Sequence, residues 1–241
     1  VRRAVLARIP RQRYERARGA FIRIMFWIWA RTGRRAAARL FLNDLIAKTG
    51  NFEVTNWLGV PVWQNVLDLW TIQETIVEVR PSLLIETGTN RGGSALFYAQ
   101  LMELLGHGRV LTVDIERLHQ LEHPRVEFLH GSSTDPEIVD RVRAAAQAAD
   151  GPVMVILDAD HAQEHVSQEL ELYAPVVTPG SFLLSQDGVI DRLWLFADSR
   201  PGPLGANRDF LARHPEFEYD RERNERFIVT HHPCGWMRRR A

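Results

Sequence analysis

Short apolar runs separated by helix-length segments constrain this chain more than any other feature. From Leu83 onward it reads "LLIETG", "SALFYAQLMELLG", "RVLTVDI", "VEFLHGS", "DPEIVDRVRAAAQAA", "PVMVILDAD", "HAQEHVSQELELYAPVV" and "SFLLSQD". The strand-sized runs are apolar throughout instead of alternating, as strands buried on both faces of a sheet are. Strands of that kind joined by helices predict a parallel, doubly wound α/β domain, whose ligands gather beyond the carboxyl ends of the strands. Ahead of the first run, "VPVWQNVLDLWTIQETIVEVRP" carries Val66, Leu69, Trp70, Gln73, Ile76 and Val77 at helical spacing and stops at Pro81. After the last run, "NRDFLARHPEFEYDRERNERFIVTHHP" predicts a helix and then two strands joined by a charged turn, an antiparallel hairpin at the sheet edge. A chain of 241 residues without internal repeats accommodates one such domain, over residues 51–241, and an N-terminal arm over residues 1–50.

Charge sets the arm apart. The whole chain is formally neutral, yet residues 1–40 hold twelve arginines and one acid, Glu15, a balance of +11 that leaves −11 for the rest. Within it, "FIRIMFWIWA" (Phe21–Ala30) is apolar but ten residues long. A membrane-spanning helix needs about 20 such residues, and no small-residue cleavage site follows to mark a signal peptide. The simpler reading is a helix that packs on the domain or on a second copy of the chain. The sharper one is a basic helix at the inner face of a membrane, with Trp27 and Trp29 among anionic headgroups. Twelve arginines also suit nucleic-acid phosphate, but the interleaved Trp, Phe and Ile suit lipid or a partner helix better. The single cysteine, Cys234, excludes an intrachain disulfide, suits a reducing cytoplasm and has no thiol motif around it.

Polar groups cluster where the predicted strands end. "LLIETGTNRGGSALF" places Gly88, Gly92 and Gly93 between a strand and a helix, where glycine lets the backbone approach a ligand and the helix N-terminus favours an anion. The spacing is not the G-x-G-x-x-G of nicotinamide and flavin enzymes. Asp114 ends the next strand, and Ser132, Ser133 and Asp135 follow the one after. Thr134 or Asp135 before a proline also reads as a plain helix cap, and for Ser133 capping and ligand contact stand equal. "VILDAD" ends in Asp158, and "SFLLSQD" ends in Gln186 and Asp187. Neighbouring parallel strands lie about 5 Å apart, so these three can meet. Two carboxylates and an amide oxygen are hard ligands suited to Mg²⁺. His161 follows Asp158 by three residues and can face the same volume. Asp160 reads as a cap of the next helix, His165 as part of its solvated face, and His231 and His232 as surface residues of an edge strand. No facial triad for iron is placed in the sequence.

The glycine loop resembles the first motif of S-adenosylmethionine-dependent methyltransferases. That likeness implies that Glu86, Gly88, Thr89, Gly92, Gly93, Ser94, Asp114, Ser133 and Asp158 bind the cofactor, with Asp114 on the ribose and Ser133 near the adenine. The acids at the strand tips resemble those of catechol-type O-methyltransferases. A closer resemblance, to the cephalosporin hydroxylase/rhamnosyl O-methyltransferase family, runs from about Trp57 to Trp236. It is carried by "WLGVPVWQNVLDLWTIQE", "IETGTNRGGSALF", "SSTDP", "LDADH" and "HPEFEYDRERNERFIVTHHPCGW". It implies an O-methyltransferase acting on a sugar, glycolipid or antibiotic-like hydroxyl. Asp158, Gln186 and Asp187 would then bind Mg²⁺, His161 would be the base, and Trp57, Trp63 and Gln73 would lie in a segment covering the cofactor. Gln186 departs from the family's glutamate at that position; the amide can ligate, but a charge is lost and metal affinity falls. That departure and the basic arm keep a second expectation alive: a cofactor-binding family member without catalysis, serving as a membrane-associated biosynthetic partner. The loop "DGVIDRLWLFADSRPGPLGAN" is where the acceptor would be chosen.

Overall fold

A computed structural model describes residues 11–120 and 122–241. The first ten residues of the basic arm, with Arg2, Arg3 and Arg8, lie outside the described residues. The chain divides into two compact units at Asp44/Leu45, where the sequence suggested an arm reaching residue 50. The first unit is helical. It contains α1 (Arg11–Thr32) and most of α2 (Arg34–Lys48). No helix among the described residues is long and apolar enough to cross a membrane.

The second unit begins with a two-residue hairpin, β1 (Asn56–Trp57) and β2 (Val60–Pro61), followed by α3 (Val66–Val79). The start of the helix is set by Asn65, whose side chain accepts a bond from Leu67 N at 3.1 Å. Its end is set by Arg80 in a left-handed conformation just before Pro81, which cannot continue a helix. The chain then alternates β3 (Leu83–Thr87), α4 (Gly93–Leu104), β4 (Arg109–Asp114), β5 (Val126–His130), α5 (Pro136–Gln147), β6 (Val153–Leu157), α6 (Gln163–Tyr173) and β7 (Phe182–Ser185). It closes with α7 (Pro203–Arg213), β8 (Phe217–Tyr219), α8 (Arg221–Glu225) and β9 (Trp236–Arg239).

Seven strands form one sheet in the order β5-β4-β3-β6-β7-β9-β8. The first five are parallel; β9 pairs antiparallel with β7 and β8. Every residue of β3, β6 and β7 is buried, which is why these strands are apolar without alternation. One face of the sheet packs Ile85, Val155 and Leu183 against Leu170, Tyr173 and Phe210. The other packs Leu84, Ile156 and Leu184 against Ile72, Ile76 and Tyr98. Chain order reverses between β3 and β6, and a sheet of this kind opens a crevice at that switch point, beyond the carboxyl ends of the two strands.

The predicted edge hairpin needs correction. Its first strand is β8, but the charged stretch after it is the helix α8, and the second strand is β9 rather than "FIVTHHP". Asp220 caps α8, accepting from Arg223 N at 2.9 Å. The Arg223 guanidinium bonds Asp220, Glu78 and Thr75 Oγ1 and lies 4.0 Å from the Phe182 ring centroid. The charges therefore bind α8 to α3 and the sheet, a role that local patterning does not reveal.

Candidate active site

A cleft of about 740 Å³ opens at the switch point. Its walls come from the loop after β3, the ends of β4 and β6, the start of α6, Asp187 after β7, and the segment Pro61–Gln64.

Close backbone approach shapes the glycine loop. Gly88 has φ +85°, and a Cβ there would lie 2.0 Å from the carbonyl oxygen of Asp158. A Cβ on Gly93 would lie 2.1 Å from Pro61 O, so α4 begins hard against the β2 hairpin. Gly92, left-handed at φ +81°, turns the chain into α4 but is not among the residues lining the cleft; Gly88, Thr89, Gly93 and Ser94 are.

Glu86, expected to meet a ligand, is instead fully buried beneath the loop and does not line the cleft. Thr112 donates to it at 2.7 Å, and the Thr89 hydroxyl lies 2.7 Å from that of Thr112. The hydroxyl relay ties the glycine loop to the neighbouring strand. Burial pushes the Glu86 carboxyl up to about 7, against the bonds from Ser94 and Thr112 that favour its charge.

Asp114 lines the cleft at the end of β4. Its carboxylate accepts from Asn90 N at 2.8 Å and from Glu116 N at 3.0 Å, which fixes its orientation. Ser132 and Ser133 line the far end, whereas Asp135 is the cap of α5, accepting from Glu137 N at 2.8 Å. The Ser133 hydroxyl lies 3.1 Å from His165 Nε2, so His165 faces the cleft and not solvent as its sequence position suggested. One turn on, Glu169 is fully buried with a carboxylate oxygen 3.6 Å from the same nitrogen. The bond and charge of Glu169 raise the affinity of His165 for its proton, burial notwithstanding. Asp160 accepts from Ala162 N at 2.7 Å, a local turn before a helix that starts at Gln163.

Asp158, His161 and Asp187 converge at the other end. Each offers one donor atom, and these atoms lie within 4.8 Å of one another. Burial pushes the Asp158 carboxyl well above the usual range, and the charges of Asp187 and Glu86 add to this, while Gln64 Nε2 donates to Asp158 Oδ2 at 3.2 Å. Burial acts to raise Asp187 too, but His161 and the bond from His231 outweigh it and hold that carboxyl below its ordinary range. Two carboxylate oxygens and an imidazole nitrogen form a donor set that fits a divalent cation. Gln186, expected as the third ligand, is only 2 % exposed and does not line the cleft. Asp187 does line it, because a left-handed φ of +53° turns the chain there.

His231 and His232 are not surface residues: they are 4 % and 1 % exposed. His231 Nδ1 lies 3.3 Å from Asp187 Oδ1, and His232 Nδ1 accepts from Asp187 N at 3.2 Å. Asp68 on α3 anchors this segment, accepting from Thr230 Oγ1 at 2.6 Å and from His231 N at 2.8 Å. Of the three residues expected to cover the cleft, Trp63 alone lines it. Trp57 packs on Phe97 at 4.9 Å and donates to Gln100 at 2.6 Å, and Gln73 lies within α3, away from the lining. Gln64, Asn51, Asn90 and Glu116 line the cleft without having been singled out in the sequence.

The family model described as rhamnosyl O-methyltransferase/CmcI matches residues 50–240. The chain is 35 % identical over 191 residues to a rhamnosyl O-methyltransferase of Mycobacterium tuberculosis strain H37Rv, covering 76 % of this chain and 77 % of that protein. The Mycobacterium leprae protein of the same name is 32 % identical over 198 residues, covering 79 % and 86 %. Among solved structures, an apo form of CmcI aligns with a TM-score of 0.63 at 18 % identity, covering 79 % of this chain and 78 % of that one. CmcI with Mg and SAM aligns equally well, with a TM-score of 0.63 at 17 % identity and the same coverage. The chain therefore belongs to the rhamnosyl O-methyltransferase/CmcI family and has the fold of S-adenosylmethionine-dependent methyltransferases.

Proposed function

We propose that this chain transfers the methyl group of S-adenosylmethionine to a hydroxyl of a sugar, glycolipid or antibiotic-like natural product. Asp158 and Asp187 would hold a divalent cation, Mg²⁺ foremost. The observation that carries this reading is the meeting of Asp158, His161 and Asp187 in the cleft that the glycine loop also lines.

When bound, the donor would supply a methyl group activated on a sulfonium, and a cation on Asp158 and Asp187 would lower the pKa of the acceptor hydroxyl. The Gly88 N–H is bound to Val113 O, so Thr89 and the start of α4 offer the backbone N–H groups to the donor's carboxylate. Asp114, already oriented by two backbone bonds, takes the ribose hydroxyls, and Ser133 with His165 bounds the adenine end. Asp187 steadies Nε2 of His161, and the imidazole would take the proton that the hydroxyl gives up while the acceptor oxygen bonds to the methyl carbon and the methyl–sulfur bond breaks, leaving the neutral thioether S-adenosylhomocysteine. Proton removal of this kind contributes about 10²–10⁴-fold. Holding the acceptor oxygen about 3 Å from the methyl adds several kcal/mol. The single cysteine suits a cytoplasmic enzyme.

The mycobacterial relatives are named for rhamnosyl groups, so a rhamnoside is the first acceptor to test. With labelled S-adenosylmethionine, the chain transfers label to the acceptor with Mg²⁺ present and stops on chelation, and Asp158→Asn removes both the transfer and the metal response. Cofactor binding with no transfer to any hydroxyl acceptor would instead favour a non-catalytic binding protein, the reading that the uncharged Gln186 supports.

A further inference from the structure

We infer that α1 is a membrane-surface helix that docks the chain in the plane of an anionic bilayer. The inference is independent of the methyltransferase reading and rests on the first unit alone.

The large apolar side chains of α1 between Phe21 and Trp29 are exposed, from 41 % at Ile22 to 69 % at Phe26. An exposed apolar tract of this size on a water-soluble chain marks a surface that meets a partner or a membrane. At 3.6 residues per turn, Phe21, Met25 and Trp29 stack one above another with Ile22 and Ile24 beside them. Arg16 and Arg23 lie on the opposite side, about two turns apart, whereas Arg31 lies nearer Ile24 and Arg18 lies one turn before Phe21 on the apolar side, where its long stem reaches back to the headgroups. The Arg31 guanidinium lies 4.0 Å from the Trp27 ring centroid, and this tryptophan falls on the arginine side, between Arg23 and Arg31.

Ten residues rise about 15 Å along a helix axis, half the roughly 30 Å of a bilayer's hydrocarbon layer. Arginines flank the apolar run at both ends, so end-on entry would bury charge. In-plane docking buries the Phe21–Met25–Trp29 face about 5–10 Å deep and leaves the arginines at the headgroups. Charge selects lipid over a second copy of the chain. Residues 1–40 carry a balance of +11, so pairing two such arms brings like charge together, whereas an anionic headgroup layer offsets it.

The test is sedimentation of the full chain with phosphatidylcholine vesicles, with and without phosphatidylglycerol, at low and high salt. Wild type pellets with the anionic vesicles at low salt and is released by high salt. Phe21→Ser/Met25→Ser abolishes pelleting, and Arg16→Gln/Arg23→Gln/Arg31→Gln weakens partitioning roughly 100-fold. Unchanged thermal melting of both variants shows that the α/β unit stays folded. No pelleting at low salt overturns the inference, as does pelleting that ignores either variant. An oligomer in lipid-free solution that the double variant dissolves, without vesicle binding, overturns it in favour of an interface between copies.

Discussion

His161 Nε2 lies 3.3 Å from Asp187 Oδ2 across the mouth of the cleft, and the other oxygen of that carboxylate lies 3.3 Å from His231 Nδ1. One carboxylate thus stands between two imidazoles that both line the cleft, one half-exposed and one buried. This arrangement orients His161 for proton transfer and keeps Asp187 ionised, as either a cation ligand or a hydrogen-bond acceptor for the base requires.

If His161 takes the acceptor's proton, His161→Ala lowers kcat by about 10²–10⁴-fold. Affinity for S-adenosylmethionine, read by calorimetry, stays within a few-fold because Asp114 and Ser133 are oriented by other partners, Asn90, Glu116 and His165. Turnover close to the wild-type rate would remove His161 from the mechanism.

Glu86 makes stability pH-dependent with an unusual sign. Its carboxyl is raised from 4.5 to about 7 in the folded chain, so the folded state holds the proton more tightly than the unfolded one. Its contribution therefore falls as pH rises from about 4.5 to about 7, by about 3 kcal/mol in all. Asp158, also raised, acts in the same direction, whereas Asp187, lowered, costs stability only in more acidic solution. Glu86→Gln should flatten the wild-type decline between pH 5 and 7.5 in denaturant titrations. A variant that declines as steeply as wild type shows that Glu86 is not the source.

Gly88→Ala tests the tight approach of the loop to β6. The added carbon meets Asp158 O at 2.0 Å and requires a left-handed backbone, so the loop must move. The expected loss exceeds about 2 kcal/mol, read as a lower melting temperature, together with lost cofactor binding. Gly50 also has a positive φ but nothing within 4 Å of its added carbon, and Gly50→Ala serves as the control for backbone conformation alone.

The pair of cleft-facing His165 and buried Glu169 should behave non-additively. His165→Leu leaves the Glu169 carboxylate without a counter-charge in the core, at a cost of about 3–5 kcal/mol. The double variant His165→Leu/Glu169→Leu loses less, because no lone charge remains. Equal or additive losses in a double-mutant cycle would show that the two side chains do not depend on each other.

Local patterning made much of this protein legible. The buried strands, the glycine turn before α4, the Asp135 cap and the polar residues that follow β6 and β7 and end β4 come from periodicity and backbone chemistry within a few residues. Asp114, Asp158, His161 and Asp187 could be assigned to one cleft because a parallel sheet brings its strand ends to one side.

Tertiary packing decided the rest, because the partners lie far apart in the chain. Gln64 reaches Asp158 across 94 residues, and Asp68 holds the His231 backbone across 163. No short-range pattern marks such contacts, so the two histidines near the C-terminus read as surface until the fold enclosed them. Glu86 is the converse case: its place beside the glycine loop was visible, but its burial beneath Thr89 and Thr112 depended on which way the strand faced its neighbour. Sequence determined which backbone ends meet, since hydrogen-bonded strands of fixed period leave few alternatives. Side-chain direction, burial and the charge state that follows from them were set only when distant segments packed together and displaced water.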